Sequence, residues 1–203
     1  NKITTVVSAS AIGYYGADCG HAPFVETDAA DTAFLGEACR LWEDAIQPVS
    51  ALGKRLVICR IGIVLANEGG ALAEFKKPLM YRTAAVLGNG KQIVSWIHID
   101  DLCRIFTTAL ADEFMSGVYN AVAPAPVSNK DLTLALAKAM YGNSFIAMPV
   151  PAFVLKIMMG NRSIEVLKST TVSTQKILNH GFQFEYPTIE KAMQQLVGFT
   201  LRR

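Results

Sequence analysis

Between Val6 and Gly16 an apolar, β-branched run gives way abruptly to the hydroxyls of Ser8, Ser10, Tyr14 and Tyr15, with Gly13 and Gly16 among them. Serine and tyrosine together can orient a carbonyl or alcohol oxygen and exchange a proton with it. Ile3 to Val7 have the composition of a strand covered on both faces, and open parallel sheets bind ligands beyond the carboxyl ends of such strands. The segment therefore reads either as a strand delivering a site or as an ordinary strand-to-loop turn whose serines satisfy backbone groups.

Three further stretches carry residues capable of chemistry. Val57 to Leu65 reads as a second buried strand that ends in Arg60, Gly62, Ile63 and Val64, with the Arg60 head solvated or ion-paired. Gln92, Trp96 and His98 fall on one parity of an extended segment and so share a face, which suits a substrate wall; a lone histidine equally suits a structural role. Asn120, at the end of a third strand, could bond substrate or hold the turn before Pro124. His21 and His180 read as loop and helix-end residues without partners, and no metal-binding cluster emerges.

The intervening elements position these groups. Phe34, Leu35, Ala38, Leu41, Trp42, Ala45, Ile46 and Val49 recur at helical spacing, predicting an amphipathic helix over 34–49 that packs on the sheet, capped by Asp31 or Thr32. Lys54 to Leu65 then forms a parallel strand reached by a right-handed crossover. Residues 70–82 read as helix, 92–99 as extended, 101–113 as helix with Asp100 or Asp101 at its N-cap, and 117–122 as strand. After Pro124 come a helix at 128–140 capped by Ser128 with Asp131 three positions on, a strand at 144–148 and a helix at 151–159. Residues 160–172 are ambiguous; a short helix at 173–180 ends at Gly181, and the last helix covers 188–197. The pattern predicts an α/β fold: a sheet domain over 1–123 with a substrate-side insertion at about 66–98, and a smaller lobe over 124–203.

Composition narrows the function classes. The chain has 203 residues, 51% of them hydrophobic and 18% charged, enough for a large core, and a formal charge of +2 gives no field for nucleic acid. No stretch approaches the roughly 20 apolar residues of a membrane span. Cys19, Cys39, Cys59 and Cys103 lack Cys-x-x-Cys spacing, which favours reduced packing thiols and predicts a cytoplasmic protein.

The Ser8–Gly16 segment resembles the Ser-Ser-Ala-x-Val-Tyr-Gly stretch of the extended short-chain dehydrogenase/reductases, and Val57–Leu65, Gly88–Leu102 and Gly117–Pro124 resemble later parts of that superfamily in the right order. Tyr14-Tyr15, Phe34-Leu35, Cys39-x-x-Trp42-Glu43 and Ser95-Trp96-Ile97-His98 are most similar to its NAD(P)-dependent epimerase-like branch. The resemblance implies part of a Rossmann-type doubly wound sheet with a substrate-side lobe. It implies NADP or NAD as cofactor, a small polar and possibly nucleotide-sugar-like substrate, and hydride transfer, and leaves the oligomeric state unknown. Under it, Ser10, Tyr14 and Tyr15 would be catalytic, Ser8, Ala9, Arg60, Gly62, Ile63 and Val64 would approach the cofactor, and Gln92, Trp96, His98 and Asn120 the substrate.

Two departures matter. Aligning Glu43 with the glutamate that often follows the superfamily's Tyr-x-x-x-Lys pair puts Leu35 and Cys39 where the tyrosine and lysine should stand. Neither supplies the usual proton relay. Nor do Gly69-Gly70 or Gly88-Asn89-Gly90 have the spacing or context of a dinucleotide turn, so the fingerprint is expected upstream. These departures keep a second reading in view, a nucleotide-binding sensor or interaction protein that has lost turnover.

Overall fold

A computed structural model describes residues 2–18, 22–160 and 162–200. Strand β1 (Thr5–Ala11) runs into a single 3-10 turn at Ile12–Tyr15, followed by helices α1 (Phe34–Ile46) and α2 (Pro48–Ala51) and strand β2 (Arg55–Ile61). Next come β3 (Ile63–Leu65), α3 (Gly70–Leu79), β4 (Thr83–Leu87), β5 (Ile93–Val94), β6 (Trp96–His98), α4 (Ile99–Ala111) and β7 (Gly117–Ala121). The remainder is β8 (Val127–Ser128), α5 (Asn129–Tyr141), β9 (Ile146–Val150), α6 (Ala152–Met159), α7 (Arg162–Leu167), α8 (Gln175–Asn179) and α9 (Ile189–Thr200).

The central sheet has the order β1-β2-β7 and is parallel throughout, with Thr5 opposite Arg55 and Val57 opposite Gly117. Parallel neighbours need crossover connections, here made through α1 and through the segment carrying α3 and α4. β1 lies at one edge with a single neighbour among the described residues. It runs to Ala11 rather than stopping at Val7, so Ser8 and Ser10 are strand residues and not loop residues beyond it.

Helix α1 packs on a different face from the one its apolar residues predict. Gly36, Cys39 and Glu43 are buried, while Phe34, Leu41 and Trp42 face outward. Gly36 makes this orientation possible, because a Cβ there would lie 2.2 Å from the carbonyl oxygen of Asp31. Ala33 occupies the N-cap position without a side-chain cap, so neither Asp31 nor Thr32 serves there.

The expected single strand at 54–65 is broken in two at Gly62. The Gly62 N–H donates to Ala121 in β7, whereas the next N–H, that of Ile63, donates to Ser95. From Ile63 onward the chain pairs with β6, Ile63 opposite Trp96. Glycine is required by space rather than by torsion: a Cβ on Gly62 would meet the Ser95 carbonyl oxygen at 2.6 Å and Val122 Cγ1 at 2.8 Å. This divergence opens the molecule at the carboxyl end of β2.

On the far side of that opening, β4 pairs parallel with β9 and β5 antiparallel with β8. Leu65, Leu72, Leu79, Trp96, Leu132, Leu136, Ile189 and Met193 form one core that joins the 66–98 segment to α5 and α9; Val57, Cys59, Ile97, Ile105, Met115, Tyr119 and Ile177 form a second under the sheet. Ser128 caps α5, its hydroxyl accepting from the Asp131 N–H at 3.1 Å. Helix α4 starts at Ile99, before either predicted cap, and its cap is His98, whose Nδ1 accepts from the Asp100 N–H at 3.1 Å. The ambiguous stretch before Val172 contains α7. No helix among the described residues is long and apolar enough to cross a membrane.

Because both atoms facing Gly62 belong to buried residues, Ser95 and Val122, Gly62→Ala is expected to lower stability by about 1–3 kcal/mol, the cost of overpacking. Urea denaturation of the variant checks it; an unchanged midpoint would show that the strand divergence does not depend on the missing Cβ.

Candidate functional site

Five of the residues singled out in the sequence meet in one buried network, centred on a sixth. The Glu43 carboxylate accepts from Ser10 Oγ at 2.7 Å and from Arg60 Nε and Nη2 at 2.9 and 2.8 Å. Arg60 Nη1 donates to the Tyr15 hydroxyl at 2.9 Å and to the Glu26 carbonyl at 3.2 Å. The Tyr15 hydroxyl in turn donates to Asn120 Oδ1 at 2.6 Å, and Asn120 Nδ2 donates to the Ser173 carbonyl at 3.1 Å. The Tyr14 ring covers the guanidinium at 3.4 Å, and Tyr15 stacks on Phe24 at 5.1 Å.

Ser10, Glu43, Arg60 and Asn120 are all buried, so a dry ion pair is satisfied at nearly every polar atom by protein. Such a pair holds elements together rather than reacting. Burial pushes the Tyr15 phenol up to about 12, outweighing the hydrogen bond from Arg60, so it stays a neutral donor to Asn120. Ser10, Tyr14 and Tyr15, expected at a reacting oxygen, are not among the residues that line the cavity described below. Ser8, half-buried, donates weakly to its neighbour's carbonyl at 3.3 Å, and Ala9 pairs with Cys59 in the sheet.

A cavity of about 450 Å³ opens where β1 and β2 end. Ala11, Ile12 and Gly13 form one side, Ile61, Gly62 and Ile63 another, and Leu35 and Cys39 of α1 the floor between them. Ala71 and Phe75 of α3, Ile93 to Ser95, and Val166, Lys168 and Thr170 after α7 complete it, with Asn129 at the start of α5. Of the four β2-end residues expected near a cofactor, Gly62 and Ile63 line this cavity, whereas Arg60 points into the network and Val64 packs against the second core. Among the described residues lining the cavity there is no tyrosine, while Leu35 and Cys39 are present. Burial raises the Cys39 thiol above the ordinary range, partly offset by a hydrogen bond from the backbone of Ala11.

Gln92, Trp96 and His98, expected to form a wall, are all buried and are not among the residues that line the cavity. The Trp96 indole donates to the Ala125 carbonyl at 2.9 Å, inside the core. His98 accepts through Nδ1 at the cap, so its proton sits on Nε2, which meets Gln195 Oε1 at 3.0 Å while the ring stacks on Tyr186. Gln92 Nε2 donates to Leu87, leaving its Oε1 without a partner among the described groups. His180, expected to lack a partner, meets Asp112 Oδ2 at 2.8 Å. Cys19 and His21 lie outside the described residues. Glu43 and Lys168 are the groups that sequence reasoning missed. The pairing of one carboxylate on a sheet-facing helix with one arginine inside an apolar strand was the available signal for Glu43.

These features define the extended short-chain dehydrogenase/reductase fold, with its ligand cleft at the carboxyl ends of parallel strands. The chain belongs to the epimerase-like family within it. It is 34% identical over 192 residues to an epimerase family protein of Mycobacterium leprae, covering 94% of this chain and 62% of that one. The crystal structure of a human epimerase family protein with NADPH superimposes with a TM-score of 0.87 at 29% identity, covering 96% of this chain and 65% of that one. A nucleoside-diphosphate sugar epimerase from Corynebacterium glutamicum gives 0.77 at 33% identity, covering 97% and 38%. Residues 150–196 match a domain of unknown function (DUF1731). The chain therefore spans a little under two thirds of the length of the M. leprae and human proteins.

Removing one member of the buried pair leaves the other charge unpaired, so Glu43→Ala is expected to cost about 3–5 kcal/mol. Ser10→Ala, which deletes a single hydrogen bond to that carboxylate, should cost less, about 1.5–3 kcal/mol. Equal losses in chemical denaturation would show that Glu43 is not the hub. Tyr15 gives a separate test by alkaline titration. Its folded pKa lies above the ordinary phenol value, so its contribution to stability is fully present below pH 10 and is lost as pH rises through about 12. In ultraviolet absorbance, Tyr15→Phe should remove the last tyrosinate transition, the one near pH 12.

Proposed function

We propose that the intact protein is an NADP(H)- or NAD(H)-dependent epimerase- or reductase-like enzyme whose nicotinamide and substrate share the cavity at the ends of β1 and β2. One observation carries the reading: an apolar cleft lies at the strand ends of a parallel sheet, with Gly13 and Gly62 on its two sides, where an aromatic ring can approach the backbone. The fit extends to the nicotinamide end only, because the described residues offer no glycine turn for a pyrophosphate. When bound, the nicotinamide would supply hydride exchange with a carbonyl or alcohol carbon. Ile61 to Ile63 and Ala11 to Gly13 would hold the ring and exclude water, and the Glu43–Arg60 network would fix both strand ends.

The cavity floor favours keeping one alternative, a dinucleotide-binding sensor on the same scaffold. Leu35 has no exchangeable proton, and Cys39 is buried and held as thiol, so the relay of the wider superfamily is missing.

Gly13 offers a direct test, since a Cβ there would make only ordinary contacts, 3.5 Å to Leu35 and 3.9 Å to Cys39. In the intact protein, Gly13→Val should weaken NADPH binding at least tenfold by fluorescence titration while leaving thermal stability nearly unchanged. Unchanged affinity would move the nicotinamide out of this cavity. Absorbance at 340 nm with candidate carbonyl compounds then separates the readings: the enzyme oxidises NADPH, whereas the sensor binds it without turnover.

A further inference from the structure

The polar side chains of the cavity wall are not equally occupied. Ser95 Oγ donates to the Thr170 carbonyl at 2.8 Å and accepts from the Val172 N–H at 3.0 Å, and Thr170 Oγ1 donates to the Gly16 carbonyl at 2.7 Å. Lys168 has its own interaction within the protein. Asn129 differs. It lines the cavity, is only 2% exposed, and accepts through Oδ1 from the Leu87 N–H at 2.9 Å, while its Nδ2 has no partner among the described residues.

This amide cannot turn over to fill the gap. A main-chain N–H is met only by the oxygen edge of an asparagine, so Leu87 at the end of β4 decides which edge faces the strand and which is left for the cavity. Leu87 is held in turn through its carbonyl, which accepts from Gln92 Nε2 at 3.0 Å. The first N–H groups of α5 are spent as well: those of Asn129 and Lys130 donate to the Gln92 and Gly90 carbonyls at 2.9 and 3.0 Å, and that of Asp131 to the Ser128 hydroxyl at 3.1 Å. These three residues keep no main-chain donor for a phosphate or carboxylate. What they present is one neutral side-chain amide.

Resting on the reading that the nicotinamide lies between Gly13 and Gly62, we infer that Asn129 is a substrate-binding residue, and that the substrate is a largely apolar molecule whose uncharged carbonyl or ether oxygen accepts from Asn129 Nδ2. A buried donor without a partner bears the full cost of its lost hydration, which an oxygen on the ligand recovers. Leu35, Ile63, Phe75 and Val166 supply hydrocarbon and aromatic surface for the body of the molecule. An anion would exchange its water for that surface and one neutral amide, a poor trade for a full charge. Asn129 comes from α5 and not from the strand ends, so its acceptor belongs to the substrate and not to the cofactor.

The experiment is calorimetry on the intact protein, with and without saturating NADP+, which occupies the cofactor site without giving hydride. Three probes share one shape: 4-phenyl-2-butanone, its isostere 2-methyl-4-phenyl-1-butene with a methylene in place of the oxygen, and the anion 3-phenylpropanoate. The ketone is expected to bind about tenfold more tightly than the alkene, which leaves the amide unpaired, and more tightly than the carboxylate. Asn129→Leu should abolish the preference for ketone over alkene while leaving the affinities for the alkene and for NADP+ unchanged; a merely structural role would weaken both neutral probes together. A second measurement needs no variant: the infrared carbonyl stretch of the bound, isotope-labelled ketone should lie below its frequency in hexane. A hexane-like stretch would overturn the inference, as would ketone and alkene binding alike, tighter binding of the carboxylate, or a preference that survives Asn129→Leu. Loss of NADP+ affinity in Asn129→Leu with the ketone preference intact would reassign the amide to the cofactor. If NADP+ binds and the ketone shows no preference, the inference fails alone; if the preference stands and NADP+ does not bind, the cofactor reading fails while the ligand class stands.

Discussion

A guanidinium sealed between a strand and a helix cannot do without its carboxylate, and the Arg60–Glu43 pair imposes that requirement on this fold. Arg60 sits in the middle strand of the sheet, so its head must be met from the α1 side, and Glu43 meets it only when α1 is rotated to bury Gly36, Cys39 and Glu43 together. That rotation turns Leu35 and Cys39 toward the cavity and sends Phe34, Leu41 and Trp42 outward. The same guanidinium reaches the Tyr15 hydroxyl, which fixes the turn after β1 and, through Asn120, the end of β7. One pair thus aligns the ends of all three strands of the sheet, and the cleft is the space left beside it.

The cleft gains its shape from a different constraint. Successive N–H groups at Gly62 and Ile63 are drawn to different strands, so the backbone leaves the central sheet within one residue. The opening is built by main chain, and the side chains that finish it are mostly hydrocarbon. Polar groups that look available in a list of residues, Ser95 and Thr170 among them, hold the loop after α7 against the sheet side.

Much of this was legible in the sequence, and the parts that were not have physical reasons. The apolar runs at 3–7 and 54–65, the helical spacing behind α1, and the Ser128 cap of α5 are local signals, and the structure has strands, a helix and the cap there, with the first strand running on to Ala11 and the second divided. The break at Gly62 was hidden because β2 and β3 have the same composition, and only the identity of the partner strand distinguishes them. The face of α1 was misread because Phe34, Leu41 and Trp42 outweigh Glu43 on any hydrophobic scale, whereas a buried countercharge outweighs them in energy. Ser10, Tyr15, Arg60 and Asn120 were assigned to separate roles yet meet in one network, because spacing cannot tell a group that faces a cleft from one that faces another protein group. Trp96 and His98 share a face as their parity requires, and that face is turned into the core.

The edge of β1 has a consequence for how the molecule behaves among others. The strand Thr-Val-Val-Ser-Ala-Ser-Ala pairs with β2 on one side, and its other side offers a row of backbone donors and acceptors with no described strand against it. Proteins usually blunt such a border with a lysine, a proline or a bulge. This one has none of the three, and its side chains are small and uncharged. The border is therefore a template for continued pairing: whatever extended segment lies against it extends the sheet.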